Sequence, residues 1–136
     1  MINYNFVDKV WALVPARSGS KRLKNKNLKK IKNLSLVARA VIVCKKSNKI
    51  DRVFLSTDSK KIRKEGLKYG AEAPFLRSKK NSRDTSNDFN VLKEFLQKTY
   101  RIEKMIPKYL IFIRPTTPIR KSKVINSAIK KFRNLK

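Results

Sequence analysis

The chain has 136 residues, enough for one domain and too few for two of ordinary size. Thirty-six Lys and Arg against nine Asp and Glu leave a formal charge of +27, which excludes an acidic protein with a site built on many carboxylates. No histidine and a single cysteine, Cys44, exclude Ser-His-Asp and Cys-His catalysis, the usual zinc sites and any intrachain disulfide.

Val10, Trp11, Ala12, Leu13 and Val14 form a short apolar run closed by Pro15, which predicts a central parallel strand buried on both faces. Residues 16–33 are polar and basic with one glycine, Gly19. That is long for a strand-to-helix turn and marks a candidate functional loop. Ser35 is placed to cap a helix whose apolar positions Leu36, Val37, Ala40, Val41, Val43 and Cys44 recur at helical spacing. Within that run Cys44 reads as a buried small hydrophobe.

Arg52, Val53, Phe54, Leu55 and Ser56 predict a second strand, and Thr57, Asp58 and Ser59 offer caps for a helix reaching about Tyr69, with Gly70 as a left-handed C-cap. Residues 71–76 contain Pro74 and predict a short edge strand. Residues 77–88 form a second long polar loop, and Asp88 is expected to cap a helix burying Phe89, Val91, Leu92, Phe95 and Leu96. Tyr109, Leu110, Ile111, Phe112 and Ile113 predict a third strand, ended by Pro115 and Pro118. Ser122 then opens a last helix with Val124, Ile125, Ala128, Ile129 and Phe132 inward.

Strands alternating with helices predict an α/β fold with a doubly wound, mostly parallel sheet. Ligands bind such sheets beyond the carboxyl ends of the strands, where strand order reverses. The loop after Val14, Thr57 with Asp58, and residues 114–120 all fall at that edge. No apolar stretch is long enough to span a membrane and residues 1–8 lack a signal-peptide pattern. A soluble protein of the reducing cytoplasm, with no membrane partner, is expected.

The charge has two readings. One is a partner with phosphates; the other is a lysine-rich composition, since Lys supplies 25 of the 36 cations and is scattered over every predicted helix. The aromatic residues fall mostly at core positions instead of forming a stacking platform, so nucleic acid is expected to bind only nonspecifically and at low salt. The first loop, from Pro15 to Asn27, is neither a P-loop nor a GxGxxG fingerprint. It places Gly19, Ser18, Ser20, Arg17 and Lys21 straight after a buried strand, where backbone N–H groups and two cations suit an anion. A solvated basic loop is the plain alternative.

The segment ALVPARSGSKRLKNKN at 12–27 resembles the opening motif of the acylneuraminate cytidylyltransferases. LSTDSKKI at 55–62, YGAEAPFLRS at 69–78, DTS at 84–86 and RPTTPIR at 114–120 follow in that family's order. The resemblance implies the Rossmann-like fold of nucleotide-diphospho-sugar transferases and transfer of a cytidylyl group from CTP to an acidic nine-carbon sugar, releasing pyrophosphate. By the same resemblance, Arg17 and Lys21 hold the triphosphate and are the catalytic cations. Ala16, Ser18, Gly19, Ser20, Asn27, Arg77 and Thr116 complete the nucleotide site, and Arg114 and Thr117 face the sugar. Many members have glutamine where this chain has Arg114. Relatives acting on pseudaminic and legionaminic acids stay within the resemblance, whereas the relative acting on the eight-carbon sugar of lipopolysaccharide has a different, acidic segment there.

The family also implies magnesium, bound through aspartates in a C-terminal portion that carries sugar contacts and a dimerisation arm. None of that portion is matched here. The expectation is therefore an N-terminal, nucleotide-binding half with no metal ligands of its own, completed by a separate C-terminal half or a homodimer, or else a noncatalytic remnant.

Overall fold

The computed structural model describes residues 3–19, 25–116 and 121–135. Strand β1 (Phe6–Pro15) is the centre of a three-stranded parallel sheet, with β4 (Arg52–Ser56) on one side and β5 (Ile106–Phe112) on the other. The register places Leu13 beside Phe54 and beside Phe112. Because successive side chains of a strand point to opposite faces, the apolar run of β1 divides. Val10, Ala12 and Val14 join one buried cluster, and Trp11 and Leu13 join the other.

The first cluster is roofed by α1 (Leu36–Lys46), α2 (Lys60–Lys68) and α4 (Ser122–Arg133) through Val37, Val41, Ile62, Ile125 and Ile129. The second is roofed by α3 (Asp88–Glu103), the one described helix on that face, through Phe95, with Phe75 packed beside it. The chain thus leaves β1 over one face to reach β4 and comes back over the other to β5, so strand order reverses at β1. This is the doubly wound sheet that the sequence predicts.

Caps and turns explain the boundaries. The Ser35 hydroxyl accepts from the Ala38 N–H and opens α1, and the Ser59 hydroxyl accepts from the Ile62 N–H and opens α2. Gly70, at φ 101°, ends α2 in the left-handed region. A small hairpin of β2 (Lys30–Ile31) and β3 (Leu34–Ser35) interrupts the first loop, turned by Lys32 and Asn33 at φ 51° and 69°. Two successive left-handed residues make the tight turn that matches strand twist.

Four expectations are corrected. Residues 71–76 do not form a strand; Glu72 makes a lone parallel bridge to Phe54, with backbone hydrogen bonds of 2.8 Å to Leu55 and to Val53. Asn87, not Asp88, caps α3, its side chain accepting from the Asn90 N–H, because Asp88 is drawn away to Arg114. Phe89 is 68% exposed, so it lies outside the stripe of α3 that faces the sheet. On α4 only Ile125 and Ile129 are buried; Val124, Ala128 and Phe132 are exposed, with no described strand beyond β5 to cover them.

Arg52 fastens the far end. It pairs with Glu72 at 2.7–2.8 Å and with Glu103 at 2.8 Å while lying over the rings of Trp11 and Phe54 at 4.7 and 4.8 Å. The hydrogen bonds from Arg52 hold the Glu72 carboxyl below the usual range. Helix α2 is fitted more tightly: a Cβ on Gly66 would come within 2.4 Å of Leu55 Cδ2 in the core. Gly66→Ala should therefore destabilise the protein, because overpacking of about 1–3 kcal/mol exceeds roughly 0.5–1 kcal/mol of helix gain. A lowered urea midpoint is the expected result; a raised one would show that Leu55 simply turns aside.

Candidate functional site

The C-terminal ends of β1, β4 and β5 meet the two long loops at the point where strand order reverses. The junction is built on one carbonyl. Ser56 O, the last of β4, accepts from the Ala16 N–H at 2.9 Å and from Arg77 Nη2 at 2.8 Å, tying the exit of β1 and the second loop to the same atom. Arg77 is 7% exposed. Its Nε donates to Ser56 Oγ at 3.0 Å, its Nη1 to Asn81 O at 3.3 Å, and its N–H to Thr57 O at 2.7 Å. Burial pulls its guanidinium below the ordinary value, against the nearby carboxylates of Asp58 and Glu94, but an arginine remains a cation at any working pH.

Each loop has a carboxylate anchor. Asp58 accepts from the Ser18 N–H and Oγ, both at 2.8 Å, so it fastens the first loop to the end of β4 instead of capping α2. Glu94 of α3 accepts from the Ser78 N–H at 3.0 Å, from Ser78 Oγ, and from Asn81 Nδ2 at 2.8 Å. Burial alone would raise the Glu94 carboxyl; the hydrogen bonds from Ser78 and Asn81, with Lys98 nearby, hold it below the usual range.

Between these anchored loops lies a cleft of about 330 Å³, lined by Pro15, Arg17, Gly19, Lys26, Asn27, Arg77, Arg83, Asp84, Ser86, Asn87, Asp88, Val91, Arg114, Pro115 and Thr116. That size suits a small polar ligand. Five basic side chains face two carboxylates there. Both carboxylates are already matched, Asp84 to Arg17 and Asp88 to Arg114. An anionic ligand would take over those arginines and release the aspartates to water.

Of the residues singled out in the sequence, the structure brings Arg17, Gly19, Asn27, Arg77, Arg114 and Thr116 to this one cleft. Asn27 Nδ2 also donates to Arg17 O at 3.0 Å, steadying the arginine's backbone. Ala16 is buried beneath, with its N–H engaged. The Ser18 N–H points to Asp58, so it is not one of the donors of an anion nest. Ser20, Lys21 and Thr117 lie outside the described residues. Lys26, Arg83, Ser86 and Asn87 were not singled out, nor was Glu94. The second long loop marked the place of most of them, but only the fold shows which of its side chains turn inward.

Among the described residues no three of His, Cys, Asp and Glu converge. With Asp58, Asp84 and Asp88 engaged by Ser18, Arg17 and Arg114, these residues do not fit a magnesium site as they stand. No helix among them is long and apolar enough to cross a membrane.

Comparison with known proteins agrees with this picture. Residues 11–136 match the family model described as cytidylyltransferase. A CMP-N,N'-diacetyllegionaminic acid synthase of Legionella pneumophila is 33% identical over 121 residues, covering 89% of this chain and 52% of that protein. A pseudaminic acid cytidylyltransferase of Campylobacter jejuni is 30% identical over 120 residues, covering 88% and 51%. In fold, a CMP:2-keto-3-deoxy-manno-octonic acid synthetase solved with CTP superposes with a TM-score of 0.74 at 18% identity, covering 93% of this chain and 48% of that one. The chain spans about half the length of the curated relatives it matches. On its matched motifs, its sheet and its basic cleft, this chain belongs to the cytidylyltransferase family.

Proposed function

We propose that this chain forms the nucleotide-binding half of a cytidylyltransferase that activates a sialic-acid-like nonulosonic acid with CTP, giving a CMP-sugar and pyrophosphate. In that reaction a sugar hydroxyl oxygen bonds to the α-phosphorus, the bond from that phosphorus to the bridging oxygen breaks, and the hydroxyl proton leaves to solvent or a base. The observation that carries the reading is the convergence of Arg17, Arg77 and Arg114 on one cleft at the reversal of strand order. Such transfer needs positioning and neutralisation of phosphate charge more than covalent help. Arg17 and Lys21 are the residues assigned to the triphosphate, Asn27, Arg77 and Thr116 to the rest of the nucleotide, and Arg114 with Thr117 to the sugar side. The relatives named for legionaminic and pseudaminic acids support this substrate class.

Calorimetric titration with CTP, and with ATP as control, at physiological ionic strength tests the reading. Saturable binding that favours CTP is expected. Arg17→Ala should weaken it about 10- to 100-fold, the worth of a charge-assisted hydrogen bond of roughly 1.5–3 kcal/mol, and Asn27→Ala should weaken it less. Equal and strongly salt-sensitive binding of both nucleotides would mean a basic surface only, and the reading would fall.

A further inference from the structure

The second loop brings to the cleft a cation that the fold itself does not use. Arg83 lines the cleft, yet its guanidinium makes no hydrogen bond or ion pair among the described residues. The other arginines there are engaged. Arg17 and Arg114 are matched to Asp84 and Asp88, and Arg77 is committed to Ser56 and Asn81. The backbone that carries Arg83 is nevertheless fixed: its N–H donates to Ser86 Oγ at 3.0 Å and its carbonyl accepts from the Ser86 N–H at 3.0 Å. Ser86 Oγ in turn donates to Lys80 O at 2.9 Å. A free cation on a turn already formed meets a ligand without the cost of ordering the loop. The turn also faces the first loop, because the adjacent Asp84 reaches Arg17 at 2.5 Å. Arg83 therefore stands one residue away from a contact with the side chain assigned to the triphosphate.

The same cleft is poorly made for a divalent metal. Five cations face Asp84 and Asp88 there, while Asp58 is held by the Ser18 N–H and hydroxyl at 2.8 Å. Even when a phosphate takes Arg17 or Arg114 and frees its aspartate, a divalent ion has to enter among more positive groups than negative ones. The charge of the ligand then decides the sign of the metal's effect on binding. At neutral pH a free nucleoside triphosphate carries about four negative charges, and magnesium cancels about two of them. A site with an excess of cations attracts the free form more strongly.

We propose that this cleft takes the nucleotide triphosphate as its metal-free polyanion, with Arg83 supplying at the phosphates the positive charge that a divalent ion would otherwise bring. The proposal concerns the binding step alone and rests on the nucleotide reading of the cleft.

Calorimetric titration of the full chain with CTP at physiological ionic strength, once in EDTA and once in excess magnesium, tests it, with ATP run in both buffers. The unmodified chain should bind CTP at least about threefold more tightly in EDTA, and should prefer it to ATP there. Arg83→Ala should weaken CTP binding about tenfold in EDTA and clearly less in magnesium, because the ligand with more charge feels a lost cation more. Its side chain carries none of the bonds that hold the turn, so the variant should fold. Arg83→Lys should recover most of the loss, since charge and not a planar fork is what the position provides. CTP that binds only with magnesium, or an Arg83→Ala effect that is absent or equal in the two buffers, would overturn the proposal and leave the nucleotide reading in place. Equal binding of CTP and ATP in both buffers would remove that reading and this proposal with it.

Discussion

Arg77→Met is expected to destabilise the protein by about 2–4 kcal/mol and to abolish measurable CTP binding. Methionine keeps much of the stem's volume, so the loss falls on the guanidinium. Without it Ser56 Oγ and Asn81 O have no donor, and one of the two hydrogen bonds to Ser56 O is gone from a buried junction. Each unsatisfied buried group costs roughly 1–3 kcal/mol. Some of that is offset because the desolvation that depresses Arg77 is removed too. The second loop then keeps the Glu94 and Arg77 N–H hydrogen bonds and the ion pairs of Asp84 and Asp88 at its exposed side, and the cleft loses a cation. Arg77→Lys separates the two effects: it restores charge without the fork. Partial recovery of CTP affinity with little recovery of stability is the expected pattern in paired denaturation and titration experiments. Full stability in Arg77→Met would sink the view that this arginine holds the junction.

That junction also shows where sequence reading stops. The alternation of apolar runs with helical stripes was enough for the doubly wound sheet, because β1 and β4 are buried on both faces and their composition says so. It failed where burial depends on a neighbour: Val124, Ala128 and Phe132 have the spacing of an inward face, yet no described strand lies beyond β5 to cover them. The tight turn at Lys32 and Asn33 was missed because Lys is an uncommon choice for a left-handed residue. Asp58 was weighed as a cap, which its place before a helix suggests; Ser59 does that work and frees Asp58 for Ser18, 40 residues away in the chain. Of the residues lining the cleft, Arg17, Asn27, Arg77 and Arg114 were singled out from positions in shared motifs. Lys26, although inside the first motif, and Arg83 were not, since only the facing of the two loops turns them into the cleft, and Glu94 acts from α3 by holding Ser78 and Asn81.

The same dependence of the cleft on one helix makes Phe95→Ala the most damaging core substitution to expect. Phe95 is 2% exposed and packs edge-on to Phe54 at 5.1 Å, with Phe54 in turn 5.0 Å from Trp11. A Phe→Ala change of this kind costs about 3–5 kcal/mol, against a total stability of roughly 5–15 kcal/mol for ordinary domains. Self-repulsion at +27 lowers that total further, so added salt should raise the variant's melting temperature. Phe95 matters more than its area because α3 is the one described helix on its face of the sheet and carries Asp88 and Val91 of the cleft wall, with Asn87 as its cap and Glu94 holding Ser78 and Asn81. Val41→Ala opens a cavity under α1 on the opposite face and leaves α3 and the second loop it anchors in place. Both variants should melt at lower temperature, but only Phe95→Ala should also weaken CTP binding in the fraction that remains folded. Equal CTP affinity in the two would mean that the second loop keeps its place without α3, and that Glu94 is not its anchor.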